Sequence, residues 1–304
     1  MPVRSLLHYA LEVPDQTIGQ RYYRDFGLSD DSARGPVVRL RPGRQSRESV
    51  LLYEGRRKRL HHLCFGATGE DFARTRDAIH QAGVTEVDPP KDAPGGGLWL
   101  RDPDGNLLNV REEAPVAVAV EAPAAFNGPG YAPRQAVRGA PGRDLAVAPR
   151  RLGHVLLFTP DIDRQVDFYT RVLGMKLSDR SQDIIAFMRC TTDHHNVALL
   201  KSSHPGFHHA SFEVGGVDEI GMGAARMANR GWQPGWGFGR HVIGSNFFYY
   251  IRDPWGSFAE YFYDLDQIPE TCAWEPRNFP PDDSLYIWGP PVPADFGENK
   301  ESSS

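Results

Sequence analysis

The stretch Arg252-Asp253-Pro254-Trp255-Gly256-Ser257-Phe258-Ala259-Glu260 repeats the layout of Arg101-Asp102-Pro103-Asp104-Gly105-Asn106-Leu107-Leu108-Asn109, and this doubling decides the fold. Two further pairs flank it. Leu60-His61-His62-Leu63-Cys64-Phe65 is echoed by Phe207-His208-His209-Ala210-Ser211-Phe212, and Leu7-His8-Tyr9-Ala10-Leu11 by Gly153-His154-Val155-Leu156-Leu157. His8 and His62 stand 54 positions apart, His154 and His209 55. A spacing kept at three places marks a tandem duplication. The copies part at the last position, Asn109 in the first and Glu260 in the second. Two histidines and a carboxylate suit a non-haem Fe(II) site with open positions, and an amide removes the charged oxygen ligand. Only the second copy completes such a triad.

Each copy reads β-α-β-β-β twice over. In the second, residues 152–158 form an apolar strand. Asp161 is a helix N-cap, followed by Val166, Phe168, Tyr169, Val172 and Leu173 at helical spacing and closed by Gly174. Residues 184–188 and 196–201 read as strands. The next unit starts with a strand at 209–214 and a helix over 217–229 closed by Gly231. It ends in a hairpin of 247–251 with 257–262, where Gly256 supplies the turn's unusual φ. Strand alternation puts His209, Ser211 and Glu213 on one face, and Glu260 with Phe258 and Phe262. The strands bearing His154, His209 and Glu260 can then aim at one point.

The copies occupy 1–113 and 150–264. Between them, 114–149 is dense in Ala, Pro and Gly, a composition that suits an extended connector. Residues 265–304 form a Pro- and aromatic-rich tail whose Trp274 and Tyr286 are candidates for a lid. Its last residues, Glu298 to Ser304, are expected to fray.

At 304 residues the chain can bury two cores. Hydrophobic content of 40% and charged content of 24% are ordinary for a soluble globular protein. A net charge of −5 leaves no basic footprint for nucleic acid. Arg56-Arg57-Lys58-Arg59, the one basic cluster, reads as a solvated loop. No apolar run approaches the ~20 residues of a membrane span, and no signal peptide precedes the first strand. Three scattered cysteines, Cys64, Cys190 and Cys272, point to a reducing cytoplasm.

Each candidate has a plainer reading. His154 alone on an apolar strand is more often a satisfied core histidine, but His209 and Glu260 at repeat-matched positions favour a metal. His208 is expected to face the other side of its strand. His194 and His195 are ambiguous as a pair, and His204 can simply sit in the turn before Pro205. His8 and His62 read as a remnant of duplication holding buried hydrogen bonds. Trp232, Trp236, Phe238, Phe247 and Phe248 can wall a pocket or fill a core. Arg189, Arg240 and Arg252 can meet a substrate carboxylate or sit in structural ion pairs.

The sharpest pattern is Gly239-Arg240-His241, then Tyr250 nine residues on, Pro254, Gly256, and Glu260 ten beyond the tyrosine. In this order the chain resembles the type I extradiol ring-cleaving dioxygenases of the vicinal oxygen chelate superfamily, across both copies. The resemblance implies an α+β fold of two tandem vicinal oxygen chelate domains, each of two βαβββ modules forming an incomplete barrel. It implies metal ligands His154, His209 and Glu260, and catalytic residues His195, His241 and Tyr250. It further implies a catecholic substrate, O2, Fe(II) with Mn(II) accepted by the same donors, and a cytoplasmic homo-oligomer. His195 would handle dioxygen and donate a proton, Tyr250 would hydrogen-bond substrate, and His241 would face the deprotonated hydroxyl. Glu48 stands in the first copy where His195 stands in the second, and Leu98-Trp99-Leu100 replaces the Tyr250 strand. The first copy is then a scaffold. Two alternatives remain: a metal-dependent lyase or isomerase of the same superfamily, and a non-catalytic binder of small aromatics.

Overall fold

The computed structural model describes residues 1–30, 35–43, 45–118, 121–122 and 124–301. The chain folds as successive βα units. The first is β1 (Ser5–Val13), α1 (Gln16–Phe26), β2 (Leu28–Asp30), β3 (Val38–Pro42) and β4 (Val50–Glu54). The second is β5 (Arg59–Ala67), α2 (Gly69–Gln81), β6 (Leu98–Arg101) and β7 (Leu107–Glu112). The third is β8 (Arg151–Thr159), α3 (Ile162–Arg171), β9 (Lys176–Ser181), β10 (Ile185–Arg189) and β11 (Val197–Lys201). The fourth is β12 (Gly206–Glu213), α4 (Val217–Asn229), β13 (Pro234–His241), β14 (Phe247–Arg252) and β15 (Phe258–Tyr263). The tail adds β16 (Tyr286–Trp288).

Three units carry the expected β-α-β-β-β order. The second has two strands after its helix, because residues 82–97 hold few apolar residues and run as turns and coil, touching the sheet where Val87 N donates to Trp99 O. Asp15 and Asp161 cap α1 and α3, each accepting backbone N–H groups of the first turn.

The units form two open sheets of mixed pairing. One has seven strands in the order β2-β3-β4-β1-β5-β7-β6, the other nine in the order β16-β13-β14-β15-β12-β8-β11-β10-β9. In the second sheet Ser211 lies opposite His154 on β8 and Glu260 on β15, so these three share a row, with His209 two positions along. In the first sheet Cys64 lies opposite His8 and Asn109, the same row after duplication. Asp253 and Asp102 each accept two backbone N–H groups within their hairpin loops, and Gly256 and Gly105 take the positive φ that the turns require.

The halves share one apolar core. Phe26 stacks on Tyr261 at 3.9 Å between ring centroids, and Tyr261 OH donates to Phe26 O. Tyr9 stacks on Phe207, and Tyr22 OH donates to Ile251 O.

Two sequence expectations fail at this interface. Lys58 is not solvated: its Nζ is buried against Phe207 O, Ser257 Oγ and Glu301 Oε1. Nor do residues 298–301 fray. Asn299 Nδ2 donates to His204 O, and the Glu301 carboxylate takes both Lys58 Nζ and Leu60 N. Residues 302–304 lie outside the described residues. His204 therefore does more than occupy a turn, since its ring meets the Glu301 carbonyl at 2.5 Å. No helix among the described residues is long and apolar enough to cross a membrane.

Candidate metal centre

Three neighbouring strands of the second sheet deliver the triad. β8 carries His154, β12 carries His209 and β15 carries Glu260, and one ligand atom from each lies within 4.8 Å of the others. Glu260 Oε2 stands 3.3 Å from His154 Nε2 and 3.5 Å from His209 Nε2. Gly153 allows the row to close, because a Cβ there would meet the Phe262 ring at 2.5 Å.

The donor set fits a cation. Glu260 is fully buried, and its Oε2 has no hydrogen-bond partner among the described residues; neither has His209 Nε2. Leaving a carboxylate oxygen buried and unpaired is costly, and a divalent metal would remove that cost. Asn246 Nδ2 holds the other oxygen, Oε1, at 3.3 Å. Burial keeps the His209 ring neutral, driving its pKa well below the usual histidine value, with the His208 and His154 rings adding to the effect.

His195, His241 and Tyr250 gather around the triad. His195 lies in the β10–β11 loop, which Asn196 fastens by accepting from the N–H groups of Cys190 and Thr191 and donating to Gly153 O. The His195 ring centroid is 4.2 Å from that of His154. Behind it, the Asp179 carboxylate accepts from His194 Nε2 at 2.8 Å, and His194 Nδ1 meets His195 Nδ1 at 3.1 Å. With Asp179 accepting, His194 Nδ1 is the bare nitrogen, so His195 Nδ1–H donates and His195 Nε2 is left bare. Burial lowers the His195 pKa well below the usual value, and the surrounding imidazoles push the same way.

His241, at the end of β13, donates Nδ1–H to Leu285 O at 2.7 Å and accepts the Tyr250 hydroxyl at Nε2 at 3.0 Å. Burial, helped by Glu260, raises the Tyr250 pKa well above the phenol value, so the hydroxyl keeps its proton.

These side chains line one cavity of about 260 Å3. Most of its remaining wall is apolar, with Leu156, Ile185, Phe187, Leu200, Ile243 and Val292 among the lining residues. Among the described residues no arginine or lysine lines it. Arg240 pairs with Asp264, Arg252 with Asp295, and Arg189 binds Leu177 O and Ser178 Oγ.

The aromatics near the Gly-Arg-His pattern sit elsewhere. Trp236 and Phe248 pack beneath Tyr250, Trp232 packs against Tyr22, and Phe238 stacks on Phe247. Trp274 edges onto His194 and Tyr286 onto Trp236, and neither is among the residues that line the cavity. Tail residues that the sequence did not single out, Leu285, Val292, Phe296 and Gly297, form part of the wall.

His208 is a correction. Alternation would turn it away, but a register shift between Phe207 and His209 breaks the period, and His208 lines the cavity beside its neighbour. Burial lowers its pKa to about 4. Asn246 and Asp179 were also missed; neither sits at a spacing that marks it in the sequence.

Among the described residues the first sheet holds no such group. His8 Nε2 meets His62 Nε2 at 3.0 Å, while Asn109 turns its amide to Gly96 O and Leu98 O and accepts from Cys64 Sγ. Glu48 pairs with Arg39, and buried Trp99 lies opposite Asn109 as Tyr250 lies opposite Glu260.

The family model described as Glyoxalase/Bleomycin resistance protein/Dioxygenase superfamily matches residues 6–110 and 151–261. The chain is 46% identical over 303 residues to Metapyrocatechase 2 of Cupriavidus necator, covering 99% of this chain and 93% of that one. It is 30% identical over 237 residues to a biphenyl-2,3-diol 1,2-dioxygenase of Metapseudomonas furukawaii, covering 73% and 72%. Among solved structures, the Mn(II)-bound glyoxalase from Novosphingobium aromaticivorans superposes with a TM-score of 0.77 at 25% identity, covering 94% and 91%.

Proposed function

We propose, because the chain belongs to the Glyoxalase/Bleomycin resistance protein/Dioxygenase superfamily, that it is an extradiol dioxygenase which opens a catecholic ring beside its two hydroxyls. The observation that carries this reading is the buried triad beside three groups that can handle protons. The 46% identity to a metapyrocatechase over nearly the whole chain supports it.

His154, His209 and Glu260 would hold Fe(II), and the same donors accept Mn(II). Such a metal, when bound, supplies adjacent positions for both diol oxygens and for O2, so two reactants that combine slowly meet in one geometry. The protein's own groups do the rest. His195 Nε2 is bare and takes the proton that the diol releases on binding, then returns it as the ring opens. The Tyr250 hydroxyl, protonated and buried, donates to a substrate oxygen. In the free site that proton points at His241 Nε2, whose ring Leu285 O holds at Nδ1, so the hydroxyl turns from His241 to the diol as substrate binds, and the bare Nε2 then faces the diol hydroxyl that keeps its proton. The ring bond next to the diol breaks, and both atoms of O2 enter the product.

The substrate we favour is a small monocyclic catechol without a charged substituent. The cavity is below the roughly 300–1,000 Å3 usual for drug-sized ligands, and among the described residues it presents no cationic side chain for a carboxylate. We assign catalysis to residues 150–264 and a scaffold role to 1–113, with the tail closing one side of the cavity. We also assign the protein to the cytoplasm as a homo-oligomer.

The likeness to a glyoxalase favours a second reading, a metal-dependent isomerase. Oxygen uptake separates the two. The dioxygenase consumes one O2 per catechol in the Fe(II)-loaded state and gives a yellow product, and Glu260→Gln abolishes both. An isomerase consumes no oxygen.

A further inference from the structure

Two site histidines are fixed by carbonyls of the C-terminal tail. Leu285 O takes the Nδ1 proton of His241 directly. Phe296 O lies 2.6 Å from His208 Nε2, and His208 Nδ1 lies 2.6 Å from His209 Nδ1. A backbone carbonyl can only accept, so the proton of the His208 ring is on Nε2. The neutral ring then offers a bare Nδ1. Its one partner among the described residues, His209 Nδ1, must carry the proton, which leaves His209 Nε2 as the free lone pair.

We propose that His208 is a positioning residue: it relays the acceptor character of the Phe296 carbonyl to His209, fixing the tautomer whose bare Nε2 faces Glu260. This rests on the metal-site reading above. A histidine ligand needs one nitrogen bare and the other held, and the partner that holds it sets both the tautomer and the ring angle. In this chain the partner is the adjacent residue, brought to the cavity side by the register shift in β12. The relay begins on a segment 88 residues away in sequence. Seating of the tail and loading of the metal are therefore coupled. With Phe296 displaced, the His208 proton is free to move to Nδ1, and His209 then turns its own proton toward Glu260.

The test uses full-length, metal-stripped protein titrated with Mn(II), read by the EPR signal of the free ion. Three variants divide the relay. His208→Asn places an amide oxygen where Nδ1 was and keeps the acceptor for His209. His208→Gln reaches Phe296 O but leaves His209 Nδ1 without an acceptor. His208→Phe keeps the ring's packing and neither bond. Gln and Phe weaken Mn(II) binding about 10–100-fold, whereas Asn stays within about threefold of the parent protein. Equal binding by all variants overturns the proposal, and so does an Asn variant as weak as the other two. Failure of the parent protein itself to bind Mn(II) sinks the metal-site reading instead. A second measurement needs no variant: nitrogen-15 NMR of the histidine-labelled, metal-free protein places the His209 proton on Nδ1. Finding it on Nε2 contradicts the relay.

Discussion

Lys58 Nζ lies 2.7 Å from Glu301 Oε1, and this pair fastens the end of the tail to the first half of the chain. Both side chains are at least nine-tenths buried. Removing one partner of a buried pair strands the other charge at a cost of about 3–5 kcal/mol. Lys58 keeps two neutral acceptors, Phe207 O and Ser257 Oγ, so Glu301→Gln should fall near the lower bound. Denaturant unfolding should show a loss of about 3 kcal/mol. KM for catechol should rise as well, because Phe296 and Gly297 wall the cavity only five and four residues upstream.

Asp179 offers a sharper test of the His195 relay. Its Oδ1 accepts Arg277 N at 2.6 Å and its Oδ2 accepts His194 Nε2. In Asp179→Asn the amide oxygen stays on Arg277 N, and the amide nitrogen must donate to His194. That reverses every proton along the chain and leaves His195 Nε2 protonated before substrate arrives. A wrong tautomer costs about 100-fold or more in kcat. Mn(II) affinity should stay unchanged, since this relay ends on His195 and not on a metal ligand.

Burial holds the His8 pKa down to about 3. Between pH 6.5 and 3 the unfolded chain binds a proton here that the folded chain refuses. Stability therefore falls as pH drops through this window, with a slope approaching about 1.4 kcal/mol per pH unit for one such group. His8→Leu should flatten the acid limb of the unfolding curve, measured as the difference from the parent protein. It should leave kcat and metal content unaltered, because the first copy carries no triad.

Glu260 Oε2, buried with no hydrogen-bond partner among the described residues, predicts a crossed pattern on metal removal. Without metal, Glu260→Gln should be about 1–3 kcal/mol more stable than the parent, since a buried orphan charge is gone. With Mn(II) at a hundredfold excess over Kd, the parent should gain about 2.7 kcal/mol and the variant far less. Thermal melts of four samples, each protein with and without metal, check both halves.

Much of this was legible in the sequence because duplication preserves spacing. The His8–His62 and His154–His209 intervals, with Asn109 against Glu260, mark the repeats and single out three side chains that the fold brings together. The helix cap Asp161 and the Asp-Pro-x-Gly hairpins are local signals, and local chemistry sets them. The misses are non-local. A shift of one position on β12 inverted the side of His208, which no period-two rule can foresee. Lys58 is buried because its partner lies 243 residues on. The tail's carbonyls act through backbone atoms, which carry no sequence signature at all. Trp236 and Phe248 read equally well as wall or as core, and packing beneath Tyr250 made them core.

The most direct test of the central claim is turnover of catechol by the Fe(II)-loaded protein under oxygen-18 gas, with the product examined by mass spectrometry and visible absorbance. A yellow semialdehyde, cleaved beside the diol and carrying both labelled atoms, is the predicted result. A colourless dicarboxylate cleaved between the two hydroxyl carbons, or a product with no label, would contradict it.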